Sequence, residues 1–329
     1  MSALTTISEI YELLKTIVLS SELTENDSFL HLILEVLDEA QQREYPEFSL
    51  TLLPAQVCAV VGGSANDTIP VAAAWRALHL AAKLFDDVED GDDVIVASKV
   101  LSPGIAVNLA TGFMAISNII LVEHEFLLPD AEVARRSLVQ EFNRTVLQMC
   151  VGQHRDLEDD QFLDIDEYRK IMAAKSGSFF QLAAWSGARC GTNDEDILSL
   201  MESFGYNLGM MLQLNDDLQD FRKEGPGGDL AAGKPTFPVY YALSVASPPE
   251  QKRLLSLLNE APTNVHAEME ARSLIRALGG EVYMMAEIMR YRRRAMAALD
   301  EMNLPKELRS KLDAWLARLS LNPATIKAS

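Results

Sequence analysis

The amino-acid sequence predicts an all-α protein, and three observations lead to this prediction. Apolar residues recur at spacings of three and four along almost the whole chain, which is the period of an amphipathic helix. No convincing run of alternating β-branched and polar residues, as expected for a strand, interrupts this pattern. The composition also shows no break along the 329 residues, so we expect residues 1–329 to form a single domain.

The most clearly delimited helix is predicted to run from Ile69 or Pro70 to Asp90. The short polar residues that end at Thr68 are N-cap candidates, Pro70 suits a first turn, and Gly91 suits a helix end. The same period predicts further helices at 105–126, 131–160, 166–189, 195–222, 235–246, 250–258, 266–301 and 305–319.

Charge and composition exclude several classes of function. The net charge of -19 disfavours nucleic acid or an anionic membrane surface as a partner, since phosphate binding requires clustered lysine and arginine. The first twenty residues lack a basic-then-apolar signal pattern. Cys58, Cys150 and Cys190 have neither paired spacing nor neighbouring clusters of histidine, so neither a disulfide framework nor a zinc site is indicated. We therefore expect a cytoplasmic protein.

One segment is apolar enough to raise the question of a membrane span. Residues 100–122 carry no charge, and their number is sufficient to cross a bilayer. Serine, threonine, asparagine, glycine and proline interrupt the segment, however, so we interpret it as a buried core helix and expect no membrane span.

Two acidic motifs of the form DDxxD are the strongest functional signal. They cover residues 86–90 and 216–220, each at the end of an apolar helical segment. Residues four apart lie on the same face of a helix. The residues that project together are therefore Asp86 with Asp90, and Asp216 with Asp220, with Glu224 one turn further along. Carboxylates this close repel one another unless divalent cations hold them, and their hard oxygen atoms suit Mg²⁺.

A solvated helix face is the structural alternative for these motifs, because 48 acidic residues make chance pairs of aspartate common. Both motifs nevertheless end segments that we expect to be buried, where charge is costly and more often functional. The first motif also lies at a helix C-terminus, where the helix dipole disfavours carboxylates. We therefore predict a metal-dependent enzyme.

A segment rich in glycine and proline follows the second acidic motif directly. Residues 225–235 contain four glycines and two prolines, which exclude a continuous helix. We interpret the segment as a flexible flap over the metal site, and an ordinary surface connection is the alternative.

Together with several shorter motifs, the two acidic motifs resemble those of the trans-isoprenyl diphosphate synthase superfamily over most of the chain. The shorter motifs are Gly152-Gln153 with Asp156, Lys175-Ser176-Gly177 with Phe179, Gln213 before the second acidic motif, and the run from Gly233 to Pro238. The resemblance implies an antiparallel helical bundle around a deep central apolar cavity. It also implies that the protein forms a homodimer.

The resemblance further implies roles for individual side chains. Three Mg²⁺ ions, with the diphosphate bound, would be held by Asp86, Asp87, Asp90, Asp216, Asp217, Asp220 and Glu224, with Asp217 and Asp220 supporting the ions or binding them through water. The substrate would be an allylic prenyl diphosphate, contacted by Lys175, Lys234, Gln213, Gln153, His79, Phe179, Ala81 and Ala82. The implied catalytic residues are Asp86, Asp90, Asp216, Lys175 and Lys234.

The chain departs from the superfamily pattern at a second diphosphate site. Chain-elongating members carry a lysine and an arginine upstream of the first motif, and this chain has Glu47 and Leu50 there. Two arginines are expected after the first motif, where the chain reads Val94-Ile95-Val96-Ala97-Ser98-Lys99, and only His79 keeps the pattern. Charged hydrogen bonds contribute about 1.5–3 kcal/mol each, so their loss argues against isopentenyl diphosphate as a substrate.

Three functional hypotheses follow from these residues. The leading one is a cyclase or lyase similar to class I terpene synthases, which ionises an allylic diphosphate and releases pyrophosphate. The alternative is a prenyltransferase that either elongates a chain or transfers a prenyl group to a neutral, indole-type acceptor, and the third is a non-catalytic partner subunit. Ala81 and Ala82 stand where aromatic residues would block long substrates, so we expect geranylgeranyl diphosphate or a longer substrate.

Overall fold

A computed structural model describes residues 3–20, 28–46, 49–124, 131–158, 164–223, 228–302 and scattered positions from 304 to 317. The helices are α1 (Ala3–Ser20), α2 (Ser28–Gln42), α3 (Leu53–Val60), α4 (Ile69–Glu89), α5 (Pro103–Glu123), α6 (Ala131–Leu157), α7 (Ile165–Met172), α8 (Ser178–Gly191), α9 (Glu195–Arg222), α10 (Phe237–Val245), α11 (Pro248–Glu260), α12 (Val265–Ala277) and α13 (Gly280–Glu301). Short 3₁₀ turns occur at Leu50–Leu52, Ala65–Thr68 and Ala261–Thr263.

The all-α prediction is confirmed, with one small exception. Strands β1 (Ile95–Val96) and β2 (Lys99–Val100) pair in an antiparallel hairpin that the periodicity did not predict. Ala97 and Ser98 turn the hairpin with φ of 48° and 62°, a left-handed conformation that is uncommon for residues other than glycine. The backbone N–H of Ala97 donates to Glu39 Oε1 at 2.6 Å, which anchors the hairpin to α2.

The helix prediction from Ile69 to Asp90 is confirmed to within one residue, whereas two other predicted helices are divided. The predicted helix 166–189 is interrupted by a π-helical turn at Ala173–Gly177. The predicted helix 266–301 breaks near Gly279, which has a φ of 87°. Helices α1, α2 and α3 were not predicted, and most of the predicted helix 305–319 lies outside the described residues.

Local sequence explains where several helices begin. Ser102 accepts a hydrogen bond from Ile105 N at the start of α5, and Asp164 and Asp194 accept from two backbone N–H groups each at the starts of α7 and α9. Such side chains satisfy N–H groups that have no partner within the first helical turn.

Helices α4, α8 and α9 form the centre of the molecule, where α4 packs on α5 and α9 packs on α8 and α13. The segment of α4 from Val71 to Trp75 is fully buried. Glycines bring α9 close to the segment before it: a Cβ atom at Gly209 would lie 2.3 Å from Ser176 O, and one at Gly205 would lie 2.3 Å from Phe180 O. This contact sets the position of the π-helical turn against α9.

A smaller hydrophobic cluster forms where α10, α11 and α12 surround the C-terminal end of α9. Phe221 of α9 packs there with Leu254, Leu257 and Ile275. Arg272 donates to the carbonyl oxygen of Phe221 and so stabilises the end of the helix that carries the second acidic motif. The single-domain organisation stays a prediction.

Helix α5 is the one described helix that is long and apolar enough to cross a membrane. Its inner face packs on α4 and α6, and 44% of its most apolar stretch is buried. A core helix of a soluble protein passes the same test of length and composition.

Candidate active site

The first acidic motif occupies the last turn of α4. Asp86 and Asp90 are joined by the backbone hydrogen bond from Asp90 N to Asp86 O at 2.9 Å, which places their side chains one turn apart. Asp87 is half-buried beside Lys83, whose Nζ lies 3.6 Å from its Oδ1. Burial raises the pKa of Asp87 in spite of this lysine.

The π-helical turn at Ala173–Gly177 presents Lys175 to the first motif. Lys175 Nζ lies 3.2 Å from Asp86 Oδ1 and 2.7 Å from Asp156 Oδ2. Burial alone would lower the pKa of Lys175, but the two aspartates raise it above its usual value, so the amine stays charged. Single π-helical turns of this kind occur frequently at functional sites.

Gly152 allows α6 to approach this turn closely. A Cβ atom at position 152 would lie 2.8 Å from Ala174 Cβ and 3.1 Å from Lys175 Cγ. The next residue, Gln153, has both amide atoms buried without a hydrogen-bond partner in the described part of the chain. A buried unpaired amide is costly, and a bound ligand that satisfies it would account for its position. The substrate contact of Gln153 stays a prediction.

The second acidic motif lies near the end of α9, and its aspartate side chains occupy two different environments. Asp216 and Asp220 are half-buried, whereas Asp217 is turned into the protein interior and is 4% exposed. Asp220 Oδ2 accepts from the backbone N–H of Asp229 at 2.7 Å, and Asp220 also forms an ion pair with Lys223.

The segment after α9 connects the second motif to the first. Lys234 forms an ion pair with Asp90, and its backbone N–H donates to Asp229 O at 2.8 Å. Burial raises the pKa of Asp229 to about 6, and the nearby carboxylates of Asp220 and Asp90 add to this shift. The two acidic motifs, which are 130 residues apart in the sequence, therefore face a common region.

This region carries more carboxylates than ammonium groups. The lysines that form ion pairs there are Lys175, Lys223 and Lys234. Its carboxylates belong to Asp86, Asp90, Asp156, Asp216, Asp220 and Asp229. Within the described residues no three acidic, histidine or cysteine side chains are grouped closely enough to hold a metal ion by themselves. This arrangement fits Mg²⁺, which is usually bound by one or two carboxylates together with water and substrate phosphates.

Asp217 makes three hydrogen bonds within the protein. Its Oδ1 accepts from Gln213 Nε2 at 3.0 Å, and its Oδ2 accepts from Tyr168 Oη at 3.2 Å and from the backbone N–H of Phe237 at 3.4 Å. Burial raises the pKa of Asp217 to about 7, against the opposing effect of these donors. Gln213 makes a second hydrogen bond, in which its Oε1 accepts from Ser176 Oγ at 2.6 Å. The two hydrogen bonds orient the Gln213 side chain within the protein.

His79 lies on the same face of α4 as Asp86, two turns earlier. Arg76 NH1 lies 2.9 Å from His79 Nδ1, and arginine has only donors, so Nδ1 accepts and the ring proton lies on Nε2. Burial, with the charges of Arg76 and Lys83, lowers the pKa of His79 well below its usual value. The ring of Phe179 packs against His79 at 5.3 Å and stacks on Trp75 at 4.6 Å.

Arg76 is buried and already paired within the protein. Its Nε donates to Tyr11 Oη at 2.9 Å, and its NH2 lies 3.5 Å from Glu44 Oε1. Thr51 Oγ1 donates to the same glutamate oxygen at 2.5 Å. The cation therefore belongs to an internal network and does not provide a free charge for an anionic ligand.

The remaining predicted site residues occupy different environments. Ala82 is half-buried on the face of α4 that carries Asp86, whereas Ala81 is turned away and fully buried. Glu224 and Glu47 lie outside the described residues. Site assignments for individual residues stay predictions.

Three residues of this region were not predicted as site residues. Tyr168 and Asp229 reach the second motif, and Asp156 shares Lys175 with Asp86. Asp156 carried a sequence signal, because it follows the Gly-Gln motif by three residues. Asp229 lies within the segment 225–235 that was interpreted as a flap over the metal site, whereas Tyr168 follows no motif that would have singled it out.

Comparison with known proteins identifies the family. The family model described as polyprenyl synthetase matches residues 49–275. The chain belongs to the polyprenyl synthetase family. The predicted resemblance is therefore confirmed, as is the prediction of an enzyme that processes isoprenyl diphosphates.

Curated relatives are similar in sequence to this chain over most of its length. The geranylgeranyl diphosphate synthase of Mycobacterium tuberculosis is 30% identical over 251 residues, covering 72% of this chain and 69% of the relative. The nonaprenyl diphosphate synthase of the same organism is 29% identical over 291 residues, covering 83% of this chain and 80% of the relative. The short chain isoprenyl diphosphate synthase of Methanothermobacter thermautotrophicus is 26% identical over 285 residues, covering 83% and 82% respectively.

Several solved structures share the fold of this chain. A decaprenyl diphosphate synthase from Rhodobacter capsulatus has a TM-score of 0.81 at 19% identity, covering 96% of this chain and 95% of that one. A polyprenyl synthetase from Streptomyces coelicolor A3(2) has a TM-score of 0.78 at 22% identity, covering 96% and 98% respectively. The fold of this chain is therefore that of polyprenyl synthetases.

Proposed function

We propose that the protein is a Mg²⁺-dependent prenyltransferase that joins an allylic prenyl diphosphate to isopentenyl diphosphate and releases pyrophosphate. The observation that carries the proposal is that Lys175 and Lys234 form ion pairs with the first acidic motif in a member of the polyprenyl synthetase family. The segment of Lys234 also contacts the second motif, through the hydrogen bond from Asp229 N to Asp220. The names of the curated relatives support chain elongation, the alternative, more than the cyclase or lyase that the sequence favoured.

The residues of the site suit ionisation of an allylic diphosphate. When the diphosphate is bound, three Mg²⁺ ions would be held by Asp86, Asp90 and Asp216. These ions would neutralise negative charge on the leaving group. Lys175 and Lys234 keep a charged amine in the same region, where negative charge develops as the carbon–oxygen bond breaks. The acceptor alkene then supplies the electron pair of the new carbon–carbon bond, and the adduct loses a proton.

A cyclase or lyase is the second candidate, and one specific observation favours it. At positions where a second diphosphate would find cations, Leu50 is buried and Ile95 and Val96 form strand β1, and the nearby Arg76 is paired with Glu44. Without an anionic acceptor the allylic cation would react internally, with water, or with a neutral acceptor.

A product assay with and without isopentenyl diphosphate separates these functions. The enzyme is incubated with Mg²⁺ and farnesyl, geranylgeranyl or a longer diphosphate, and products are identified by mass spectrometry. Chain elongation predicts a product five carbons longer that forms only when isopentenyl diphosphate is present. We expect geranylgeranyl diphosphate or a longer substrate to be preferred, because Ala81 and Ala82 stand where aromatic residues would block long substrates.

The other outcomes of this assay have distinct meanings. Release of pyrophosphate and an apolar product from the allylic diphosphate alone would establish the cyclase or lyase. A prenylated product that requires added indole would establish the neutral acceptor. Absence of turnover with every substrate would contradict an enzyme that acts alone, as expected for a non-catalytic partner subunit.

We also propose a homodimer that forms through the outer faces of α5 and α6. Asn143 Nδ2 donates to Asn118 Oδ1 at 3.1 Å, which aligns the two helices side by side. Leu147 and Val151 of α6 are 67% and 63% exposed, and Val107 of α5 is 40% exposed. Exposed apolar residues on adjacent helices are typical of an interface between subunits.

Substitution at this surface tests the dimer. The double variant Leu147→Glu with Val151→Glu is expected to be a monomer. Each subunit would contribute two glutamates to the symmetric contact, so four carboxylates would face one another where water is excluded. Light scattering coupled to size-exclusion chromatography measures the mass. Val282→Glu on α13, where the side chain is 71% exposed, is the matched control and should keep the dimer mass. A double variant with the wild-type mass would contradict this interface.

A further inference from the structure

The buried carboxylate of Asp217 connects several separate segments of the active site. Tyr168 comes from α7, Gln213 and Asp217 from α9, and Ser176 from the π-helical turn. The fifth member is the backbone N–H of Phe237, the first residue of α10. We call these five groups the Asp217 network.

The contact with Phe237 is a helix-capping interaction across the fold. Thr236 precedes α10, and its side chain forms no capping hydrogen bond. The first N–H groups of a helix have no partner within that helix, and a negative charge at a helix N-terminus is favourable. Asp217 Oδ2 supplies the acceptor for the N–H of Phe237, so it attaches the start of α10 to α9.

The network reaches both lysines that contact the first acidic motif. Ser176 directly follows Lys175, whose Nζ lies 3.2 Å from Asp86 Oδ1. Phe237 follows Lys234 by three residues, and Lys234 forms an ion pair with Asp90. A single carboxylate thus connects both lysine-bearing segments to the helix of the second motif.

The geometry of Asp217 differs from that of its neighbours in the motif. Its two oxygen atoms accept three protein hydrogen bonds, and its side chain is almost completely buried. Asp216 and Asp220 lie four residues apart on the other face of α9 and remain half-buried. Asp217 is therefore far less accessible to a metal ion in the shared region than Asp216 or Asp220.

We propose that Asp217 is a positioning residue and not a metal ligand. It holds the segments of Lys175 and Lys234 against α9, so that both amines are placed for the diphosphate before it binds. This inference rests on the proposed function, because it assigns the diphosphate as the ligand of the two lysines.

Binding measurements on the full-length protein separate positioning from metal ligation. Mn²⁺ replaces Mg²⁺, bound Mn²⁺ is counted by electron paramagnetic resonance at saturating inorganic pyrophosphate, and pyrophosphate affinity is measured by calorimetry. Asp217→Asn should retain the wild-type number of bound Mn²⁺ ions and weaken pyrophosphate binding about tenfold, the effect of losing charged hydrogen bonds. Asp216→Asn should bind fewer Mn²⁺ ions.

A second variant tests the network without altering any carboxylate. Tyr168→Phe removes one donor to Asp217 and should weaken pyrophosphate binding about three- to tenfold, with an unchanged number of Mn²⁺ ions. Tyr240→Phe is the matched control, because its ring packs at 4.9 Å from that of Tyr168 and no described hydrogen bond joins it to Asp217. Circular dichroism confirms that each variant is folded.

Two results would overturn the proposal. One is a reduced number of bound Mn²⁺ ions in Asp217→Asn at saturating pyrophosphate, which would make this carboxylate a ligand. The other is wild-type pyrophosphate affinity in Tyr168→Phe. Failure of the proposed function is distinguishable from both, because it is judged by the products that the wild-type protein forms with and without isopentenyl diphosphate, whereas these two results concern binding of Mn²⁺ and pyrophosphate to the variants.

Discussion

Replacing Asp216 by asparagine should reduce turnover by a factor on the order of 10³ while leaving the helical content unchanged. The substitution keeps the shape of the side chain and removes the negative charge that a divalent cation requires. A metal ion contributes several kcal/mol to stabilisation of the leaving group, and each 1.36 kcal/mol corresponds to a tenfold change in rate. Pyrophosphate release measures turnover, and circular dichroism measures helical content.

Asp86→Asn should behave in the same way, because Asp86 projects from the opposite motif into the same region. Asp93→Asn provides the matched control. Asp93 lies three residues beyond the first motif and is exposed, so its loss should leave turnover close to the wild-type value. Wild-type turnover in either Asp86→Asn or Asp216→Asn would refute the assignment of these residues to the metal site.

Lys175→Gln is expected to reduce kcat/KM about 100-fold or more. Lys175 is a partly buried cation placed between Asp86 and Asp156, and charge contributes more to transition-state stabilisation where water is excluded. The loss should appear in kcat as well as in KM, because negative charge on the leaving group increases as the carbon–oxygen bond breaks. Steady-state kinetics with the allylic diphosphate measures both constants.

The same variant should bind a divalent cation more tightly when diphosphate is absent. The amine of Lys175 neutralises Asp86 in the ligand-free protein and therefore competes with a metal ion for the same carboxylate. Titration with Mn²⁺ followed by electron paramagnetic resonance tests this expectation. Lys170→Gln is the matched control, since Lys170 is an exposed lysine of α7 that pairs with Glu167. Unchanged kinetics in Lys175→Gln would show that this lysine does not contact the substrate.

Much of the fold and part of the site followed from local patterns. Helix α4 was predicted to within one residue, because a proline, an apolar period and a glycine mark its limits within the sequence, although Thr68 forms no capping hydrogen bond. The acidic motifs were visible for a similar reason, since their four-residue spacing is itself the geometry of a helix face.

Other features depend on contacts between distant residues. The hairpin turn at Ala97 and Ser98 uses left-handed conformations that neither residue favours, and Glu39 of α2 stabilises it. The π-helical turn at Lys175 lies where Gly152 and Gly209 allow neighbouring helices to approach. No local rule predicts either feature, because the stabilising partner is remote in the sequence.

The sequence by itself determined that the protein is helical and that two sets of aspartates lie on helix faces. These properties depend on residue type and on spacing within a few turns. Only the tertiary structure decided that Lys175 and Lys234 lie against the first motif and that Asp217 is directed away from it. Burial and long-range hydrogen bonds give chemically identical side chains different environments, and they arise only when the helices pack together.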